Sequence, residues 1–286
     1  MLGTVAFEKL STEDFKWLQS WLKDCSAIVL EDGRKFVAEK RLHGLLWKHK
    51  VTTFKDLCHY LRQGTHHDLT ADAIEAMTAN ETWFFRDPAY FELLRCSVLP
   101  GLIKARQESR QLRLWSAGCS SGQEAYSVAM LLKGLPELAG WDVTLFASDL
   151  SQRQIDRARR GIYTREEVNR GLPASMLTQY FQQDGIVWTA KEELRSRVQF
   201  QTLSLHEPWA PMPAFDLILL RNVLFYFDES TRLELLWRMR KQLAGDGCLM
   251  LGGLEKSDLL EGYELNGNEK SWVYRRTQWA PVAKAA

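Results

Sequence analysis

Residues 112–133 read LRLWSAGCSSGQEAYSVAMLLK. The run LRLW is a buried strand, and Gly118 and Gly122 sit in the turn between it and an amphipathic helix. Such a turn brings the backbone and a helix N-terminus close to a ligand. The spacing is not that of a dinucleotide fingerprint, and Gly122 leads into Gln123-Glu124 rather than a lysine, so phosphate is not the natural ligand. Glu124 suits a positively charged group, such as the ammonium or sulfonium of S-adenosylmethionine; a plain partner for the helix dipole is the alternative.

Working outward, strands and helices alternate. VTLFASD ends in Asp149, SQRQIDRARRG follows as a helix, FDLILL is a strand, a helix runs from about Ser230 to Leu243 closed by Gly245, and strands follow at CLMLGG and near WVYRR. This alternation predicts parallel βαβ units. Residues 182–190 and 195–203, QQDGIVWTA and RSRVQFQTL, read as short strands around a turn, a small β insertion at about 180–200. Asp149 stands at the carboxyl end of its strand, where an acid accepts hydrogen bonds from ribose hydroxyls in nucleoside-binding folds. A cap on the next helix is its other reading. Arg221, Asn222 and Tyr226 follow FDLILL at another strand end, facing the ligand crevice, with an ion pair for Arg221 and core packing for Tyr226 as alternatives.

Upstream, LSTEDFKWLQSWL and VTTFKDLCHYLRQ repeat apolar residues at three and four, a small helical domain over residues 1–78. Arg34, Arg41 and Lys48 fall seven apart and would share a helix stripe, either a solvated face or a dock for an acidic partner. Residues 79–110 form a linker and joining helix, with Asp87-Pro88 as N-cap and first helical residue. In NETWFFRDP the three aromatics read as hinge packing, while Arg86 is a fork suited to a carboxylate. The α/β unit then spans 111–276, and 277–286 is a flexible tail.

Composition narrows the class. With 286 residues the chain exceeds the usual size of one core. A 45% apolar and 26% charged content is ordinary for a globular protein, and a net charge of +1 offers no field for nucleic acid or anionic membrane. The five cysteines show no metal-ligand spacing. No apolar run suits a signal peptide or a membrane span, so the cytoplasm is the expected compartment, without direct membrane insertion.

Three segments in order, NETWFFRDP, LRLWSAGCSSGQEAYSVAM and FDLILLRNVLFYFD, resemble the chemotaxis-receptor glutamate O-methyltransferases, the CheR family, from about residue 7 to 275. The resemblance implies a Rossmann-like S-adenosylmethionine methyltransferase sheet in an α/β fold, with an N-terminal all-helical domain and a small antiparallel β insertion. It implies cofactor contacts from Asn80, Thr82, Arg86, Gly118, Glu124, Asp149, Arg221 and Asn222, with Arg86 and Tyr226 nearest the transferring methyl. Ser204-Leu205 stands where the family commonly has asparagine-leucine, which shortens an adenine contact, and Ala125 replaces a common proline. The product would be S-adenosylhomocysteine. The partner implied is the cytoplasmic helical region of methyl-accepting chemoreceptors, docked on Arg34, Arg41 and Lys48. A short insertion with a single glycine implies no tether to a receptor C-terminal peptide. Methylation of another protein or a small acid, and a catalytically idle cofactor-binding adaptor, are the competing readings.

Overall fold

The computed structural model describes residues 9–78, 80–255, 263–265 and 273–276. The expected tail at 277–286 lies outside the described residues. The chain divides into two compact units, Met1–Ala79 with Tyr226–Thr231, and Asn80–Phe225 with Arg232–Ala286.

The first unit is helical: α1 (Thr12–Ser26), α2 (Lys35–Lys48), α3 (Phe54–Gln63) and α4 (His67–Met77). Ser11 and Thr53 start α1 and α3 by accepting the amides of Asp14 and Asp56, and left-handed Ala27 and Gly64 end them. Leu18, Leu22, Leu42, Leu57 and Cys58 fill the interior. The expected cationic stripe does not stay whole. Arg34 lies in a 3-10 turn ahead of α2 and is exposed, Arg41 donates to the Met77 carbonyl at 2.7 Å, and Lys48 bridges Asp72 at 2.6 Å. Helix α4 lies alongside, and its last carbonyl and its acid draw the two long side chains to it. The outward face of α2 carries Phe36, Lys40 and Trp47.

The second unit opens on α5 (Pro88–Leu93), a π turn (Leu94–Val98) and α6 (Leu99–Ala105). One helix is expected here, but Pro100 has no N–H to donate and the turn before it widens. Next come β1 (Gln111–Ala117), α7 (Gln123–Lys133), β2 (Asp142–Asp149), α8 (Gln152–Arg160), β3 (Ile162–Thr164), α9 (Arg165–Asn169), α10 (Ala174–Tyr180), β4 (Phe181–Asp184), β5 (Val187–Ala190) and α11 (Glu192–Arg195). The unit closes with β6 (Val198–Thr202), β7 (Phe215–Leu220), α12 (Glu229–Gln242), which begins in the first unit, then β8 (Leu243–Leu251), β9 (Tyr263–Leu265) and β10 (Val273–Arg276).

A seven-stranded sheet runs in the order β6-β2-β1-β7-β8-β10-β9, parallel from β6 to β8 and antiparallel at β10 and β9. Strand β7, FDLILL, is buried along its whole length, as a central parallel strand covered on both faces must be. The insertion is a separate antiparallel sheet, β3-β5-β4, with Gly185-Ile186 alone at the β4–β5 turn. Residues 198–202, expected within it, instead pair in parallel with β2. Val198 and Phe200 are buried while Gln199 and Gln201 are exposed. That alternation marks a half-covered strand without saying which sheet supplies its partner edge. Gly245, expected to close α12, lies inside β8. The chain winds from β1 outward to β2 and β6, then returns across β1 to β7. The order reverses between β1 and β7, where open α/β sheets bind ligands beyond the carboxyl strand ends.

Candidate active site

Both glycines of the turn after β1 have left-handed φ, 78° at Gly118 and 94° at Gly122. A Cβ on Gly118 would lie 2.6 Å from Cγ2 of Val223, in the loop that follows β7. The two loops therefore meet backbone against side chain. The Gly118 and Cys119 amides donate to the Ser148 carbonyl at 2.8 and 2.9 Å, anchoring the turn on β2. Ser120, left-handed at φ 49°, donates its amide to Oδ2 of Asp149 at 2.8 Å and its hydroxyl to the Asn80 carbonyl at 3.0 Å. Oδ1 of Asp149 accepts the Ser151 amide at 3.0 Å, and Ser151 itself caps α8. Asp149 thus ties the loops after β1 and β2 together, while the cap belongs to its neighbour.

Arg221 is almost wholly buried, with 1% of its side chain exposed. Its guanidinium bonds Glu124 at 2.9 Å, Asp87 at 2.6 Å and the Arg86 carbonyl at 2.9 Å, and lies 3.8 Å from the Tyr90 ring centre. Burial works against its charge, but Glu124 above all holds its pKa above the ordinary arginine value. The ion-pair reading of Arg221 is the one the geometry supports. Asp87, expected as an N-cap, makes no cap bond; it adopts φ 63° and turns its carboxylate to the guanidinium, a stronger partner than a backbone amide. Glu124 also accepts the Ser116 hydroxyl at 2.8 Å, so its direction is fixed from two sides.

The NETWFFRDP aromatics belong to the second unit and find ring and cation partners within it. Phe84 is fully buried, edge-on to Tyr163 and Phe181 at 5.1 and 5.5 Å. Trp83 carries the guanidinium of Arg170 at 4.0 Å and that of Arg86 at 4.4 Å. Arg86 also donates to the Glu81 carbonyl at 2.9 Å and ion-pairs with no carboxylate among the described residues.

The carboxyl ends of β1, β2 and β7 therefore gather Asn80, Gly118, Glu124, Asp149 and Arg221, with the Arg86 backbone. The Leu203 amide bonds the Asp149 carbonyl at 2.9 Å, which brings the loop of Ser204 and buried Leu205 beside β2. The Ser204 hydroxyl pairs with Nδ1 of His206 at 2.7 Å. Asn222 follows β7 in a left-handed conformation, φ 60°. Among the described residues, no hydrogen bond ties Thr82 to these groups. Tyr226 ends a short 3-10 turn, Leu224–Tyr226, and its carbonyl accepts the Val29 amide at 2.8 Å within the helical unit. Sequence reasoning missed Ser120, Asp87, Gly252 and Glu255. Glu255 accepts the amides of Asn222, Val223, Leu224 and Gly252, and no motif or spacing announces it.

These groups fit a nucleoside cofactor with a cationic head. The glycine turn leads into the N-terminus of α7, Asp149 offers acceptors for hydroxyls, and Glu124 places an acid at the start of that helix. No lysine enters the turn to favour phosphate. Fold and site together define an S-adenosylmethionine-dependent methyltransferase.

The comparisons make this specific. Residues 80–266 match the model of the CheR methyltransferase SAM binding domain, and residues 13–78 match its all-alpha domain. Chemotaxis protein methyltransferase 1 of Pseudomonas aeruginosa is 35% identical over 269 residues, covering 92% of this chain and 97% of that protein. Chemotaxis protein methyltransferase Cher2 of Pseudomonas putida is 32% identical, covering 85% and 90%, and chemotaxis protein methyltransferase 1 of Vibrio cholerae is 32% identical, covering 93% and 98%. The chain belongs to the CheR methyltransferase family.

Proposed function

We propose that this protein transfers a methyl group from S-adenosylmethionine to glutamate side chains on the cytoplasmic helical region of chemoreceptors, forming methyl esters in chemotactic adaptation. The observation that carries it is the bonding of Ser120 to both Asn80 and Asp149, which draws the NETWFFRDP segment and the loops after β1 and β2 together beside Glu124. Family membership supplies the substrate class.

A glutamate carboxyl has a pKa near 4.3, so the substrate is already ionised at neutral pH and needs no general base. S-adenosylmethionine, when bound, supplies an electrophilic methyl on a sulfonium. Asp149, Asn80, Thr82, Gly118, Ser204, Leu205 and Asn222 are assigned to holding the nucleoside, and Glu124 to its cationic end. Arg221, buried and ion-paired, is a positioning residue that sets the direction of Glu124. The Arg86 guanidinium rests on Trp83, and its remaining N–H groups orient a carboxylate without the tight two-point grip that would quench its nucleophilicity. Tyr226 is assigned to positioning near the methyl from its place four residues past Asn222. Orientation of this kind contributes about 7–11 kcal/mol in well-aligned systems.

Receptor docking is assigned to α2 and its flanks, through Arg34, Arg41 and Lys48; Arg34 and Lys48 remain solvent-accessible. The enzyme works in the cytoplasm, where its substrate region lies. The Gly185-Ile186 turn gives no glycine-rich loop, which supports a tether-independent enzyme. No helix of the described residues is long and apolar enough to cross a membrane.

Incubation with methyl-labelled cofactor and chemoreceptor cytoplasmic fragments tests the reading. The expected result is base-labile label on glutamates; base-stable label, or none, would overturn it. A receptor C-terminal peptide in calorimetry should give no binding heat.

A further inference from the structure

The loops after β7 and β8 converge on one buried carboxylate. Glu255 is 5% exposed. Its Oε1 accepts the amides of Val223 and Leu224 at 2.6 and 2.7 Å, and its Oε2 those of Asn222 and Gly252 at 2.6 and 2.9 Å. A carboxylate has about four lone-pair sites, and here four backbone donors fill them. Burial pushes this carboxyl above its ordinary value and the four amides oppose the push. The ionised form alone accepts all four bonds.

What these bonds hold is the segment that carries Asn222. Asn222 sits at φ 60°, an uncommon conformation for a residue with a side chain, which persists only where its surroundings impose it. Val223 presses its methyl on Gly118 so closely that no Cβ fits there. On the far side, a Cβ on Gly252 would lie 2.5 Å from Oε2 of Glu255 and 3.2 Å from Nδ2 of Asn222. The order of layers is thus Gly252 with Glu255, then Asn222-Val223, then the glycine turn after β1. Each is fixed by the next.

We propose that Glu255 is a positioning residue for methyl transfer: it sets the Asn222 side chain and the Val223 wall against the Gly118 turn, and so controls cofactor affinity without touching the cofactor. This rests on the assignment of Asn222 as a cofactor contact. Glu255→Gln is the sharp variant, because the carboxamide keeps the shape but turns an NH2 group toward one pair of amides, and flipping it only moves the clash to the other pair. Gly252→Ala strikes the same carboxylate from outside, and Glu255→Asp keeps the charge on a shorter stem.

Calorimetric titration of S-adenosylhomocysteine into the full-length protein, well below its melting temperature, reads the effect. Glu255→Gln and Gly252→Ala should each weaken binding at least tenfold, with Glu255→Asp between them and wild type. Amide exchange at Asn222–Leu224 should quicken, kcat should fall, and KM for a receptor fragment should stay within twofold. A residue that only stabilises the fold would lower the melting temperature and leave affinity unchanged. If Glu255→Gln does not fold, Gly252→Ala and Glu255→Asp carry the test. Wild-type affinity in the folded Glu255 and Gly252 variants, beside a weakened Asn222→Ala, would overturn this inference alone. Wild-type affinity in Asn222→Ala as well would overturn the cofactor assignment with it.

Discussion

Arg221→Met offers the most demanding test of the site's construction. The guanidinium is 1% exposed and serves two acids, of which Glu124 is 13% exposed and Asp87 49%. Methionine keeps much of the volume and removes the charge and its hydrogen bonds. Asp87 can rehydrate, whereas Glu124, largely enclosed, is left with only the Ser116 hydroxyl. Removing one partner of a buried pair costs about 3–5 kcal/mol, and the rehydration of Asp87 places this case near the lower figure, about 3 kcal/mol. For a unit of this size that is about 6–12 °C in melting temperature. Scanning calorimetry of the full-length variant measures it. The second variant, Arg221→Met with Glu124→Gln, removes the stranded charge and should recover about half of the loss. Arg221→Lys should recover less, because one ammonium cannot reach both acids and the Arg86 carbonyl with the geometry of a planar fork. A shift below about 2 °C in Arg221→Met, or no recovery in the double variant, would refute the reasoning that the stranded Glu124 dominates the cost.

Asp149→Ala should lower affinity for S-adenosylhomocysteine at least about 100-fold in calorimetry while circular dichroism stays native, since it removes both the proposed hydroxyl acceptor and the tie to Ser120. Gly118→Ala, at φ 78° and 2.6 Å from Val223, should cost about 1–3 kcal/mol of stability in urea unfolding and weaken cofactor binding in parallel. In the helical unit, Lys23 first, then the Thr231 amide and the hydroxyls of Thr231 and Ser230, hold the Asp228 carboxyl well below its ordinary value of 3.8. A depressed carboxylate stabilises the fold above its unfolded-state pKa and loses that contribution as pH falls through the folded-state value. Asp228→Asn should therefore melt below wild type at pH 7, with the gap closing progressively below pH 3.8 and shrinking in high salt.

Much was legible because it is local. The strand-turn-helix of residues 112–133 shows in the order of apolar and glycine residues, and the helical character of residues 10–63 shows in their period. The family segments NETWFFRDP and FDLILLRN likewise announce themselves by residue type and order. Other features were not legible because no local pattern encodes them. The acids near Arg221 come from positions 87 and 124, and only the packing of three segments makes them its partners. The same holds for residues 198–202, whose alternation fits either sheet until the edge of β2 claims them.

The sequence by itself determined the alternating α/β unit, its helical companion, the family and the identity of the groups with chemistry. Periodicity, turn residues and motif order are properties of neighbouring positions. Only the tertiary structure decided which of those groups are free to meet a ligand and which are held inside. It turned Arg221 and Asp87 toward each other, divided the stripe of Arg34, Arg41 and Lys48 among different partners, and set Glu255 beneath Asn222. A buried charge or polar group must find a partner wherever the fold brings one near, and that meeting depends on distance in space rather than along the chain.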